Sequence, residues 1–290
     1  MRTIDFVRGT TKTFMLFGSP VEHSFSPILQ NTVAAAAGIE SVYTAMHVTD
    51  LGSAVKGAYA MGVRGINITV PFKEEVIRYL CGVDERAKAI GAVNTLKFTG
   101  EGYYGCNTDI MGLSMSLKLR GIDIKGKTVV ILGAGGAAKA AAAMALGEKC
   151  GRLYIINRTA AKAEELKSRM SRFYGGDIIC GDYDSLKNIE GKIIMIQTTS
   201  VGMGKGVWKS PIEYTEIFEH TEALVDIVYN PLKTKIMAEA EKYGVKCANG
   251  LDMLIYQGIA SFEIWNDIKI SDETKLALRD SLTEYYERGI

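Results

Sequence analysis

Three polar clusters in this chain combine residue types suited to anion binding and proton transfer. Ser24 and Ser26 are two hydroxyls on one polar loop, residues 19–27, that follows the apolar run Phe14-Met15-Leu16-Phe17. Two such donors beside a helix start suit a carboxylate without any cation. Equally, Ser26 reads as an N-cap ahead of Pro27, with Ser24 a plain loop residue. His23, just before them, is a residue type that can serve as a base but reads as a loop histidine. The second cluster is Asn67, Thr69 and Lys73. Asn67 and Thr69 alternate with Ile66, Ile68 and Val70, so one strand face carries both. Lys73, just past Pro71, either reaches that face or is solvated beside Glu74 and Glu75. The third cluster is Asn94, Asn107, Thr108 and Asp109, where a helix start favours the Asp109 carboxylate. A carboxylate paired with a lysine ammonium suits redox between a hydroxyl and a ketone. The alcohol must lose a proton as it loses hydride, and a lysine can take or return that proton.

A hydride carrier is indicated further along. Val129-Val130-Ile131-Leu132 reads as a buried parallel strand, followed at once by Gly133-Ala134-Gly135-Gly136-Ala137-Ala138 and an Ala-rich helix to Leu146. Gly133, Gly135 and Ala138 occupy the three positions of G-x-G-x-x-G/A in its strand–turn–helix context. They permit the tight turn, the close approach of a pyrophosphate and the packing of helix on strand. After the next strand, Leu153–Ile156, no acidic residue stands ready for a ribose 2′-hydroxyl. Asn157-Arg158-Thr159 stands there instead, with Lys162 four residues beyond Arg158. A guanidinium matches a phosphate bidentately, so this tip predicts NADP rather than NAD.

The elements that position these groups alternate as strand and helix, which predicts an α/β protein of two domains. An N-terminal, mostly parallel α/β substrate domain is expected over 1–108, with helices starting after Ser26 and at Asp50. A further helix opens after Pro71-Phe72-Lys73-Glu74 and another at Asp84. Val93–Phe98 and Tyr103–Cys106 flank a glycine turn as a hairpin. The helix from Thr108-Asp109 to Gly121 leads into a doubly wound Rossmann domain, 109–249, whose strands recur to Val245–Ala248. From Leu251 the apolar residues Leu254, Ile255, Ile259, Phe262 and Trp265 recur at helical spacing. That helix and one from about Asp272 to Glu287 are expected to pack back on the first domain, so that 250–290 completes it.

The 290 residues suffice for such cores, and 47% hydrophobic with 23% charged residues is ordinary globular composition. A net charge of +1 leaves no basic footprint for nucleic acid. No apolar run approaches a membrane span and no signal pattern opens the chain. The five cysteines are widely spaced with no C-x-x-C. They read as free thiols in a reducing cytoplasm, with no metal site.

Eight ordered motifs over some 250 residues resemble the shikimate dehydrogenase family. They are the stretches 18–27, 67–73, 91–95 (Gly-Ala-Val-Asn-Thr), 107–109, 133–137, 157–159, 226–231 (Asp-Ile-Val-Tyr-Asn-Pro) and 250–257 (Gly-Leu-Asp-Met-Leu-Ile-Tyr-Gln). The resemblance implies NADP-dependent, reversible reduction of 3-dehydroshikimate to shikimate, with Lys73 and Asp109 the catalytic pair. It implies Ser24 and Ser26 on the substrate carboxylate with Tyr229 near it, and Thr69, Asn94, Asp109 and Gln257 on ring hydroxyls, Asn67 joining them. For the cofactor it implies residues 133–137, Asn157, Arg158, Thr159 and Lys162, with Thr199 in the nicotinamide-side loop and Gly250. Gln197 stands where the family more often has Asn, and Gln30 where His is frequent. A quinate or dual-specificity dehydrogenase is the alternative expectation. A non-catalytic metabolite sensor is disfavoured by the retained Lys73 and Asp109. The expected partner is a small-molecule substrate, and the assembly a monomer or homodimer.

Overall fold

The structure is a computed structural model and describes residues 7–288. In chain order its regular elements begin with β1 (Lys12–Gly18), α1 (Ser26–Ala36), β2 (Ser41–His47), α2 (Leu51–Ala60) and β3 (Gly65–Ile68). There follow β4 (Gly82–Val83), α3 (Glu85–Ile90), β5 (Thr95–Thr99), β6 (Gly102–Cys106) and α4 (Asp109–Leu119). Next come β7 (Thr128–Leu132), α5 (Gly136–Gly147), β8 (Arg152–Ile156), α6 (Ala160–Met170), β9 (Ile178–Gly181) and β10 (Ile193–Gln197). The chain finishes with β11 (Thr221–Asp226), α7 (Lys235–Glu241), β12 (Lys246–Ala248), α8 (Leu251–Asn266) and α9 (Asp272–Glu287). Contacts divide them into two compact units. One runs up to Gly112 and resumes at Ile255, and the other is Leu113–Leu254. No described helix is long and apolar enough to cross a membrane.

The first unit holds a six-stranded sheet in the order β2-β1-β3-β5-β6-β4. β1 pairs in parallel with β2 and β3, and the hairpin β5–β6 supplies the antiparallel pairs. Alternation along β1 explains why both its faces are apolar. Phe14 and Leu16 lie in a cluster with Tyr43 and Trp265, while Phe17 joins Leu51, Val55, Ile66 and Ile68 in another. Trp265 of α8 stacks on Phe14 at 4.8 Å between ring centroids and donates its indole N–H to Leu96 O at 2.9 Å. A Cβ at Gly65 would stand 2.4 Å from that indole, so only glycine lets α8 lie this close.

The second unit holds six parallel strands in the order β12-β11-β10-β7-β8-β9, the doubly wound arrangement. Its central strand β7 is fully buried from Val129 to Leu132. The alanines of α5 are what bring that helix onto the sheet: Ala138 and Ala140–Ala145 are buried side by side.

Three local expectations are corrected. α1 begins at Ser26 itself, and its N-cap is Phe25 with no side-chain cap. The Ser24 hydroxyl instead accepts the Ser26 N–H at 3.2 Å, which leaves the Ser26 side chain out of any capping role. β3 ends at Ile68, so Thr69 lies in the turn beyond the strand that carries Asn67. No α-helix follows Pro71. The chain turns and makes only a 3-10 segment, Glu75–Tyr79. The Lys73 carbonyl there accepts from Val93 N–H at 2.8 Å, so it is taken by another part of the fold before a helix can use it.

Candidate functional site

In the first unit the ends of β3 and β5, the turn after β3, and the starts of α4 and α8 bring one polar cluster together. Lys73 Nζ donates to Asp109 Oδ2 at 2.7 Å, with the carboxylate side chain 9% exposed and the lysine 26%. Asn94 Nδ2 donates to the other carboxylate oxygen, Oδ1, at 2.8 Å. Asn107 Oδ1 accepts the Asp109 N–H at 3.0 Å and so shapes the entry to α4. Gln257 Oε1, on the half-buried side of the first half of α8, lies 3.4 Å from Asn94 Nδ2. The result is an ammonium held by a carboxylate that is itself gripped from behind, with the lysine the more accessible of the two. An ammonium fixed by charge-assisted bonds at the edge of a buried cluster can donate a proton to an oxygen brought against it, and the neutral amine this leaves can take the proton back.

Asn67 differs from its sequence neighbours. It is buried, its Oδ1 accepts from Tyr43 Oη at 2.9 Å, and its Nδ2 faces Asn94 O, Thr95 Oγ1 and Ser261 Oγ at 3.1–3.3 Å. Its polarity is accounted for by partners inside the protein. Ser26 also sits beside the Tyr43 hydroxyl, which burial holds far toward its neutral form. Thr69 places its methyl over β1, where a Cβ at Gly18 would come within 2.3 Å of it. His23 is exposed at the loop surface.

The second unit carries the other predicted residues. Gly133 has φ +114°, and a Cβ there would stand 2.7 Å from Thr198 Oγ1 and 3.1 Å from Thr199 Cγ2. The fingerprint turn and the turn after β10 therefore touch, and only glycine fits between them. At Gly135 and Gly136 the space a Cβ would enter is open. Gly135 is the N-cap of α5, with no side-chain cap and no acidic residue in the first turn. Its free N–H groups and open approach fit a pyrophosphate. Asn157 Nδ2 donates to Thr159 O at 2.9 Å and shapes the tip that carries Arg158. Arg158 and Lys162 are both exposed, and Arg158 borders an open cavity of about 640 Å³ walled by Tyr183, Leu186, Ile212 and Tyr214. A guanidinium so placed fits the 2′-phosphate of a dinucleotide.

Sequence reading missed why Gln197 stands at the end of β10. It is fully buried, accepts from Thr199 N–H at 2.7 Å, and donates to Thr199 O and Val201 O at 3.1 and 3.2 Å. One side chain thus winds the turn that backs Gly133. It also gave no role to Asp226 of the 226–231 motif, fully buried, which accepts from Thr234 Oγ1 at 2.6 Å and Val228 N–H at 3.0 Å. These bonds close the 226–234 loop that bears Tyr229, whose hydroxyl burial also holds toward the neutral form. Gly250 belongs to the same assembly: its N–H donates to Val228 O at 3.0 Å. Two acidic or amide residues flanked by apolar runs were the only signal for either role.

Burial raises the Asp226 carboxyl from 3.8 to about 6. The folded chain therefore holds this proton more tightly than the unfolded chain does. The resulting stability is fully present below about pH 4 and is lost as pH rises through about 6. Asp226→Asn removes that dependence. Between pH 7.5 and 5 the wild type is expected to gain about 1–1.5 kcal/mol over the variant. Paired thermal melts across that range check it, and parallel pH curves for the two proteins would refute it.

Comparison with known proteins agrees in all three parts of the chain. Residues 16–96 match the family model described as shikimate dehydrogenase substrate binding domain. Residues 116–200 match shikimate / quinate 5-dehydrogenase, and 250–274 match shikimate 5'-dehydrogenase C-terminal domain. Shikimate dehydrogenase (NADP(+)) of Methanocaldococcus jannaschii is 38% identical over 285 residues, covering 96% of this chain and 100% of the relative. The crystal structure of shikimate 5-dehydrogenase from Listeria monocytogenes, in complex with shikimate and NAD, has a TM-score of 0.88 at 30% identity and covers 97% of this chain and 98% of its own. That of the Thermus thermophilus enzyme, in complex with NADP(H) and shikimate, has a TM-score of 0.82 at 30% identity, covering 94% and 100%.

Proposed function

The chain belongs to the shikimate dehydrogenase family, and we propose that it interconverts 3-dehydroshikimate and shikimate with NADP as the hydride carrier. The observation that carries this is the Lys73–Asp109 ion pair at 2.7 Å, backed by Asn94. In this reading Lys73 holds and delivers the proton at the ring oxygen. Asp109 keeps the ammonium aimed, and with Asn94, Thr69 and Gln257 it binds ring hydroxyls. Ser24 and Ser26 hold the carboxylate, and Tyr229 is a further substrate-binding residue. Asn67 serves from behind, through Tyr43 and Asn94. Bound NADPH supplies the hydride to the ketone carbon. Residues 133–137 with Thr199 and Gly250 receive its pyrophosphate and nicotinamide ends, and Asn157, Arg158, Thr159 and Lys162 its 2′-phosphate end. The chain has its substrate-binding domain in 1–108 with 250–290 and its NADP-binding domain in 109–249.

The deciding experiment follows NADPH absorbance with shikimate or quinate against NADP or NAD. Turnover of shikimate with NADP is expected to dominate. Comparable turnover of quinate would move the assignment to the dual-specificity branch that one of the matching family models names. Cofactor choice has its own test. Arg158→Ala is expected to weaken NADP about ten- to a hundredfold and NAD hardly at all, because only NADP has the phosphate to lose. Titration of both cofactors into wild type and variant reads this directly. Equal losses would refute the 2′-phosphate role.

A further inference from the structure

Behind the Asn94–Asp109–Lys73 chain lies a triangle of hydroxyls that no part of the reaction has yet employed. Thr95 Oγ1 is 2.8 Å from Ser261 Oγ, Thr108 Oγ1 is 3.1 Å from Ser261 Oγ, and the two threonine oxygens are 3.3 Å apart. They come from β5, from the residue before α4, and from the middle of α8. All three residues are 0% exposed, so none of them meets solvent and none touches a ligand directly. We infer that Thr95, Thr108 and Ser261 form a positioning device that sets the Asn94 amide, and through it the Asp109 carboxylate, for proton transfer at Lys73. The inference rests on the proposed reaction.

The orientation of Asn94 shows how the device acts. Asn94 Oδ1 accepts from Thr108 N–H at 2.9 Å and from Thr95 Oγ1 at 2.8 Å. A backbone N–H only donates, so the carbonyl end of the amide must face it. The Nδ2 end then faces Asp109 Oδ1, which only accepts. A flipped amide would set donor against donor at one end and oxygen against oxygen at the other. With Oδ1 of Asp109 so held, Oδ2 is left for Lys73.

The hydroxyl protons are what keep this arrangement in place. Thr95, Thr108 and Ser261 own three protons between them. The acceptors around them are one another's oxygens, Asn94 Oδ1, the Gln257 side-chain Oε1 at 3.5 Å from Thr108, and the Gln257 backbone carbonyl, which Ser261 reaches at 3.0 Å. There are more acceptors than protons, so removing one hydroxyl reorders the others, and the disturbance ends at Asn94. Asn67 locks the far side by donating to both Thr95 and Ser261. Through Ser261, helix α8 is thereby tied to the catalytic pair.

The test separates the hydroxyl from the packing. Thr95→Val keeps the shape and deletes the hydroxyl, whereas Thr95→Ser keeps the hydroxyl and deletes a buried methyl. In the full-length enzyme with shikimate and NADP, Thr95→Val is expected to lower kcat about tenfold, since small losses of alignment cost heavily in proton transfer, with the NADP Kd unchanged. Thr95→Ser is expected to stay within about twofold of wild type in kcat although its melting temperature falls. Ser261→Ala should lose kcat in the same direction as Thr95→Val, and it stands in if that variant does not fold. In an Asn94→Ala background, Thr95→Val should add no further loss, as expected of residues acting through one group. Loss of kcat that follows melting temperature across the series, or full activity in both Thr95→Val and Ser261→Ala, overturns the inference. Lys73→Ala run alongside distinguishes the two levels. If it is inactive while the hydroxyl variants are normal, only the positioning role fails; if it keeps the wild-type rate, the reaction assignment fails and the inference with it.

Discussion

Lys73→Ala is expected to lower kcat by about 10²–10⁴, the usual worth of a positioned acid–base group and about 3–5 kcal/mol of barrier. NADP affinity should stay near the wild-type value, because the residues that fit the cofactor lie in the other unit from Lys73. Asp109→Ala removes the carboxylate that holds the ammonium at 2.7 Å and leaves the Asn94 amide without its acceptor, so it too should be severe. If the pair acts as one unit, the double variant will be little slower than the slower single one. Additive losses in steady-state kinetics would mean that Asp109 works chiefly as a substrate ligand. Wild-type kcat in Lys73→Ala would remove Lys73 from the chemistry and return His23 to consideration.

Gly250→Ala is expected to be the most damaging change in the second unit. The added Cβ would stand 1.9 Å from Ile227 O and 2.4 Å from its carbonyl carbon. Both obstacles are backbone, and neither can swing aside as a side-chain end could. Ile227 is held by its own N–H bond to Gln197 O at 3.0 Å, and Gly250 by its bond to Val228 O. Overpacking commonly costs 1–3 kcal/mol, and a rigid backbone clash belongs at or above the top of that range. For a protein of this size about 3 kcal/mol corresponds to a fall of roughly 10 °C in melting temperature. The measurement is a melt of the enzyme without cofactor. A normal melting temperature combined with weakened NADP binding would make Gly250 a cofactor contact and nothing more.

The architecture was legible where local patterns are strong. Four consecutive apolar residues at Val129–Leu132, closed at once by glycine, read as a strand buried on both faces, and the glycines and alanines after them fit a tight turn and a close-packed helix. Asp50 and Asp84 each accept from a backbone N–H three residues on, so two helix starts were written in single side chains. The last helix, Asp272–Glu287, lies where it was expected. Lys73, Asn94 and Asp109 could be named as candidates because polar residues stand out at the ends of apolar strands.

What the chain order alone could not convey was which of those residues meet. Ser26 looked like a helix cap, yet the Ser24 hydroxyl takes the N–H and Ser26 lies beside Tyr43, because the entry angle of α1 is set by packing rather than by the cap. Residues after Pro71 looked helical, yet the Lys73 carbonyl is claimed by Val93, twenty residues away in the chain. Asn67 could be named as a polar residue on an apolar strand, but nothing in the chain order said that its amide meets Tyr43, Thr95 and Ser261 from three different elements. Hydrophobic periodicity and capping act between neighbours in sequence and are therefore visible there. The pairing of buried polar atoms is decided by distance in space, between residues as far apart as Asn67 and Ser261. Only the folded chain brings them to 3.1 Å, where an unpaired amide would be costly and a paired one fixes the site.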